Sequence, residues 1–132
     1  MEWRECTQQD EQAVLEGLRA YNQPYIGTST DLSQCVEEDG RVVAGILARL
    51  LGDCIYVEIL WVDESLRHRG VGRELLARVE EAGRARGAKR IELDTFSFQA
   101  PENYPKLGFR EFGRVEPYAG THGRYYFIKE LD

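Results

Sequence analysis

The chain has 132 residues, 42% of them hydrophobic and 30% charged, with a net charge of −6 at neutral pH. That length fits one domain, residues 1–132, able to bury roughly two-thirds of the surface its unfolded form exposes, and the composition is that of a globular protein, neither disordered nor membrane-embedded. No apolar run approaches the ~20 residues of a membrane span, and Met1-Glu2-Trp3-Arg4-Glu5 lacks the basic and apolar regions of a secretion signal. A cytoplasmic protein with no membrane partner is therefore expected. Cys6, Cys35 and Cys54 are odd in number and widely spaced, matching neither a disulfide framework nor a zinc site, so they are read as small buried hydrophobes and no metal is expected.

The distribution of charge says more than its sum. Residues 67–90 hold eight Lys/Arg and three Asp/Glu, a net of +5, while the rest holds nine against twenty, a net of −11. A basic segment in an acidic chain suits a local anionic ligand, excludes a general nucleic-acid binder and mildly favours cationic substrates.

In chain order, Thr7 caps a helix whose Val14, Leu15, Leu18 and Tyr21 share one face, and Asn22-Gln23-Pro24 should end it near Tyr21. Gly27 to Thr30 reads as a loop. Three strands follow, Ser33–Glu37, Val42–Leu51 and Cys54–Val62, separated by Asp-Gly and Gly-Asp turns, and make an antiparallel meander. Val71, Leu75, Leu76, Val79 and Ala82 then form a helical stripe that stops at Gly87. Arg90–Thr95 alternates like a strand, Pro101–Leu107 reads as a short helix, and strands Phe109–Glu116 and Arg124–Leu131 flank a flexible Pro117–Gly123 connection. This order implies an α/β (α+β) fold, a mixed sheet covered by helices.

The segment Leu60-Trp61-Val62-Asp63-Glu64-Ser65-Leu66-Arg67-His68-Arg69-Gly70-Val71-Gly72-Arg73 carries the chemistry. A strand passes through a basic loop into a long helix, whose first N–H groups are free and partly positive. Gly70 and Gly72 lack Cβ atoms, so backbone can approach a phosphate, and Arg67, Arg69 and Arg73 add charge. The pattern is neither Walker A nor the dinucleotide Gly-x-Gly-x-x-Gly. His68 is read as shaping the loop.

Arg67-x-x-Gly70-x-Gly72 resembles the Arg/Gln-x-x-Gly-x-Gly/Ala signature of the GNAT (Gcn5-related) N-acetyltransferase superfamily, and Asn103-Tyr104-Pro105-Lys106-Leu107-Gly108-Phe109 resembles its second signature, ending in Tyr-x-x-Leu-Gly-Phe. The resemblance covers about residues 40 to 131, and its ending is similar to that of small bacterial members of unassigned substrate.

That resemblance implies a mostly antiparallel twisted sheet with helices on both faces and a V-shaped splay of strands that binds coenzyme A. It implies acetyl-CoA as cosubstrate, held by Leu60, Trp61, Val62, Arg67, His68, Arg69, Gly70, Val71, Gly72, Arg73 and, secondarily, Asn103. An amide near Leu60 or Trp61 would polarise the thioester carbonyl, Tyr104 would protonate the departing thiolate, and Glu58, on the strand before the loop, is the candidate base. The acceptor would be a small-molecule or peptide amine, without nucleic acid; a homodimer and other acyl donors stay open. Pro105 should kink or delay the helix that carries Tyr104. Trp61, Phe96, Phe98 and Phe109 are read as packing residues, and His122 as a solvated loop residue. The competing readings are a CoA-binding domain that transfers nothing and a nucleotide-binding protein; the antiparallel meander disfavours the latter.

Overall fold

The computed structural model describes residues 1–132. Helix α1 (Gln8–Ile26) starts at the expected cap: Thr7 Oγ1 accepts from the Asp10 amide at 3.2 Å and Asp10 Oδ2 accepts from the Thr7 amide at 2.8 Å. It does not stop near Tyr21 but runs through Pro24 to Ile26, where Gly27 (φ 74°) ends it. Proline in the last turn removes one donor from a helix with no close neighbour to resist bending, so the break is deferred. No residue of α1 is buried.

The remaining elements are β1 (Thr30–Asp31), β2 (Gln34–Glu38), β3 (Arg41–Leu51), β4 (Cys54–Val62), α2 (Val71–Arg84), β5 (Arg90–Phe96), β6 (Arg110–Tyr118) and β7 (His122–Glu130). They form one seven-stranded sheet in the order β1-β3-β4-β5-β7-β6, with β2 also paired to β3. Only β4 and β5 are parallel, as their crossover through α2 requires. The mixed, mostly antiparallel sheet expected from the sequence is therefore present.

Alternation along the strands sorts the two faces. Ala44, Ile46, Ala48 and Leu50 of β3, Ile55 and Val57 of β4, Ile91 and Leu93 of β5 and Phe127 of β7 meet Leu75, Leu76 and Val79 of α2 in the core. Tyr104 and Leu107 pack on that same cluster. The alternate residues Leu47, Ile59 and Trp61 point to the other face and remain 44 to 50% exposed. Helical cover within the chain thus lies over one face, because α1 does not fold back onto the second.

Four local readings change. The Pro101–Leu107 helix is two 3₁₀ turns, Pro101–Asn103 and Pro105–Leu107, each opened by a proline and meeting at Tyr104. The Pro117–Gly123 connection is tighter than expected: Tyr118 pairs with His122, and Ala119 and Gly120 make the turn at positive φ. Thr30, read as the loop's end, and the next residue, Asp31, pair with Leu50 and Arg49. Cys6 and Cys35 are exposed instead of buried, and only Cys54 is partly enclosed; burial pushes its thiol up to about 11. No helix is long and apolar enough to cross a membrane.

Gly83 fixes how closely α2 lies on β4. A Cβ there would stand 2.2 Å from Cδ1 and 2.8 Å from Cγ1 of Ile55, a fully buried side chain. Gly83→Ala should therefore cost about 1–3 kcal/mol of overpacking, outweighing the ~1 kcal/mol gain in helix propensity. Urea unfolding should show net destabilisation, and adding Ile55→Val should recover part of it. A more stable Gly83→Ala protein would contradict this packing.

Candidate active site

Strands β4 and β5 pair only from Cys54↔Arg90 to Val57↔Leu93. Beyond that they part. Glu58 is the extra residue in the register between β3 and β4, where Leu47 faces Ile59 but Ala48 faces Val57, and such a bulge bends and twists its strand. β5 meanwhile stays paired to β7 through Asp94, Thr95 and Phe96. The result is the V-shaped opening between β4 and β5.

The register also decides which groups of β4 face that opening. The Asp63 amide donates to the Val43 carbonyl at 2.8 Å, which makes Ala44↔Val62 a pair that exchanges no bonds of its own. By alternation the N–H and C=O of Leu60 and Val62 point away from β3, into the opening, whereas those of Trp61 are directed to Gly45 of β3. Of the two candidate amides, Leu60's faces the gap. The Val62 carbonyl accepts from Arg67 Nε at 3.3 Å, so this arginine folds back onto the strand end.

The loop then turns sharply into α2. His68 (φ 64°) and Gly70 (φ 77°) are both left-handed, and Gly70 caps α2 without any side-chain hydrogen bond. The first bonded amide is that of Glu74, to the Gly70 carbonyl at 3.0 Å. The amides of Val71, Gly72 and Arg73 precede it and are free to meet an anion, with Arg69 and Arg73 exposed beside them. Gly72 acts differently from Gly70. A Cβ on it would lie 3.7 Å from Val62 Cγ2 and 3.9 Å from Leu60 Cδ2, ordinary contact distances, so its bare side faces the strand and leaves room for a methyl group. Below the cradle, α2 and the second 3₁₀ turn enclose a cavity of about 230 Å³ with Arg73, Leu76, Ala77, Leu107 and Phe109 on its walls.

Tyr104 sits where the two 3₁₀ turns meet. Its ring is 5.6 Å from that of Phe109 and 5.4 Å from that of Phe127, yet its hydroxyl has no hydrogen-bond partner and is not sealed off. Burial pushes its pKa upward, so the phenol keeps its proton through the neutral range. Asn103 is exposed on the preceding turn. Glu58 is exposed on the uncovered face, 3.5 Å from Arg49. Of the aromatic residues read as packing, Phe109 is buried, but Trp61 and Phe98 are largely exposed; Phe98 stacks on Phe96 at 5.5 Å and meets the edge of His122 at 5.0 Å.

The sequence reading missed a cavity of about 310 Å³ on the uncovered face, at the root of the opening, lined by Tyr56, Glu92, Asp94, Phe112, Arg124 and Tyr126. Asp94 accepts from Arg124 Nε at 2.9 Å. The signal was available: in Ile91-Glu92-Leu93-Asp94-Thr95 the two acids alternate with buried residues, which places both on one face.

The model of the acetyltransferase (GNAT) family matches residues 1–109. The acetyltransferase Atu2258 of Agrobacterium fabrum is 33% identical over 110 residues, covering 81% of this chain and 80% of its own. The crystal structure of an acetyltransferase from Bacillus cereus superposes with a TM-score of 0.83 at 31% identity, covering 99% of this chain and 98% of that one. In fold alone, at 20% identity and a TM-score of 0.67, the chain is similar to a streptothricin acetyltransferase from Bacillus anthracis solved with acetyl coenzyme A, over 83% of this chain and 68% of that one. A strand parted from its neighbour beside an uncapped, basic helix start is what these relatives give a name to: the chain belongs to the GNAT family of N-acetyltransferases.

Proposed function

We propose that the protein transfers the acetyl group of acetyl-CoA to a cationic primary amine. The observation that carries the reading is the opening between β4 and β5, which joins the face bearing the α2 cradle to the face bearing the acid-lined cavity. The residues fit the cosubstrate. Free amides of Val71, Gly72 and Arg73, with Arg69 and Arg73, would hold its pyrophosphate, and the Leu60 carbonyl and Val62 amide, both facing the opening, would hold its amide-bearing arm as an added strand. Bound there, acetyl-CoA supplies an activated acyl carbon whose C–S bond breaks as the N–C bond forms.

The chain's own groups would manage charge and protons. The Leu60 amide faces the side on which the carbonyl oxygen gains negative charge. Glu58, at the rim on the uncovered face, would take a proton from the incoming ammonium directly or through water. Tyr104 holds a proton and an unengaged hydroxyl, the form needed to neutralise a departing thiolate. Glu92, which has no ion-pair partner, offers negative charge to a cationic acceptor, while Arg49 and Arg124 already lie over the rings of Tyr56 and Tyr126 and Arg124 pairs with Asp94. A cationic amine suits that lining better than an acidic peptide.

Two outcomes test this reading. Coenzyme A at a hundredfold excess over its Kd should stabilise the parent by about 2.7 kcal/mol. Gly70→Val, which forces a branched residue into left-handed backbone, should lose that thermal shift, while Gly72→Ala, whose Cβ would meet Val62 at ordinary contact distance, should keep it. Equal shifts for the parent and Gly70→Val would remove the cradle. Separately, Tyr104→Phe should leave coenzyme A affinity unchanged and lower kcat by ~10²-fold in steady-state assays over an amine panel. Unchanged kcat would take Tyr104 out of the chemistry.

A further inference from the structure

The chain carries two apolar surfaces that nothing in it covers. On α1, Val14, Leu15, Leu18, Tyr21, Tyr25 and Ile26 recur at helical spacing along one face and are 40 to 79% exposed. A helix of 19 residues with no buried residue at all gains nothing from tertiary packing, which normally supplies most of a helix's stability. On the sheet, Leu47, Ile59 and Trp61 form a patch on the face opposite α2, on the adjacent strands β3 and β4. Together they expose more apolar surface than is usual for a protein that stays monomeric.

The two surfaces match each other. α1 is about 28 Å long by its rise per residue, and the 11 residues of β3 extend for about 36 Å. Glu11 and Glu16 on α1 have no ion-pair partner in the chain, and neither has Arg41 of β3, whereas Arg49, next but one to Leu47, is held by Glu58. The helix nevertheless leaves its own sheet: its last residue, Ile26, meets the β3–β4 turn at Gly52, where a Cβ would be 3.8 Å from that of Ile26, and the rest projects away from the body.

We infer that the protein is a two-fold dimer in which α1 of each copy lies across the uncovered β3–β4 face of the other. One symmetry operation then covers both patches on both copies, because an interface built on a two-fold axis places each surface opposite its complement. Occluding the six helix and three sheet side chains in both copies removes on the order of 2,000 Å² of surface, at the upper end of the range for stable complexes. The acidic helix would meet Arg41, which sets its direction more than its affinity. The cavity lined by Glu92 and Asp94 lies on β4, β5, β6 and β7, so a helix over β3 and β4 would run beside it.

Sedimentation equilibrium across a micromolar concentration series should give about twice the 15.2 kDa of one chain. Leu18→Glu and Leu47→Glu, both at positions exposed within the single chain, should each yield monomers with unchanged circular dichroism. Mixing the two variants should restore dimers, since one intact helix then meets one intact face. Three results would overturn the inference: a monomeric parent whose α1 amides exchange freely, a monomeric parent whose α1 amides are protected because the helix folds onto its own sheet, and a dimer insensitive to Leu47→Glu, which would place α1 against α1.

Discussion

From Ile59 to Val62 the backbone of β4 has a strand partner on one side only. Open N–H and C=O groups in the middle of a sheet are costly unless water or a ligand satisfies them, so the break at Val57↔Leu93 needs something to hold it. The bulge at Glu58 turns β4 away, β7 keeps β5 engaged, and α2 anchors the far side through Leu60 and Val62 against Gly72. The loop 63–70 follows from the same geometry: the chain leaves β4 at an angle and must reverse into α2, which two left-handed residues, His68 and Gly70, on either side of Arg69 achieve. The anion cradle is thus a by-product of how the strand exits.

The same parting gives the molecule two working faces. The face under α2 is basic at the helix start and closed by the core; the other is aromatic and acidic, with Arg124 and Arg49 engaged by Asp94 and Glu58. In the proposed reaction a donor with phosphates and an acceptor with a positive charge would be kept apart by charge sign and would meet in the gap. That separation would let a chain of net −6 hold a polyanionic cosubstrate without repelling it.

Much of this was legible in the sequence because the relevant signals are local. Thr7 with Asp10, the turns at Gly40 and Gly52, and the helical stripe from Val71 to Ala82 depend on neighbours a few residues away, and the bounds of β4 fell where expected. Pro105 signalled an interruption at Tyr104, though not that the segment is two 3₁₀ turns instead of a kinked helix. Three other features depend on contacts distant in the chain. The bulge at Glu58 exists only against β3. The role of Gly72 is visible only beside Leu60 and Val62, and the cavity assembles Tyr56, Asp94, Phe112 and Tyr126 from four strands. The run of α1 past Pro24 escaped a local rule because nothing packs against it to enforce a stop. Amphipathic spacing in α1 correctly marked an apolar face but not what that face would meet.

The central claim is that the open edge of β4 receives the cosubstrate as a strand. Residue-resolved amide exchange by NMR, with and without acetyl-CoA, tests it most directly. The amides of Ile59 and Trp61, directed to β3, should be protected in both states, and those of Leu60 and Val62 should exchange rapidly alone and become protected when acetyl-CoA binds. Protection confined to Val71, Gly72 and Arg73, with Leu60 and Val62 unchanged, would contradict the account.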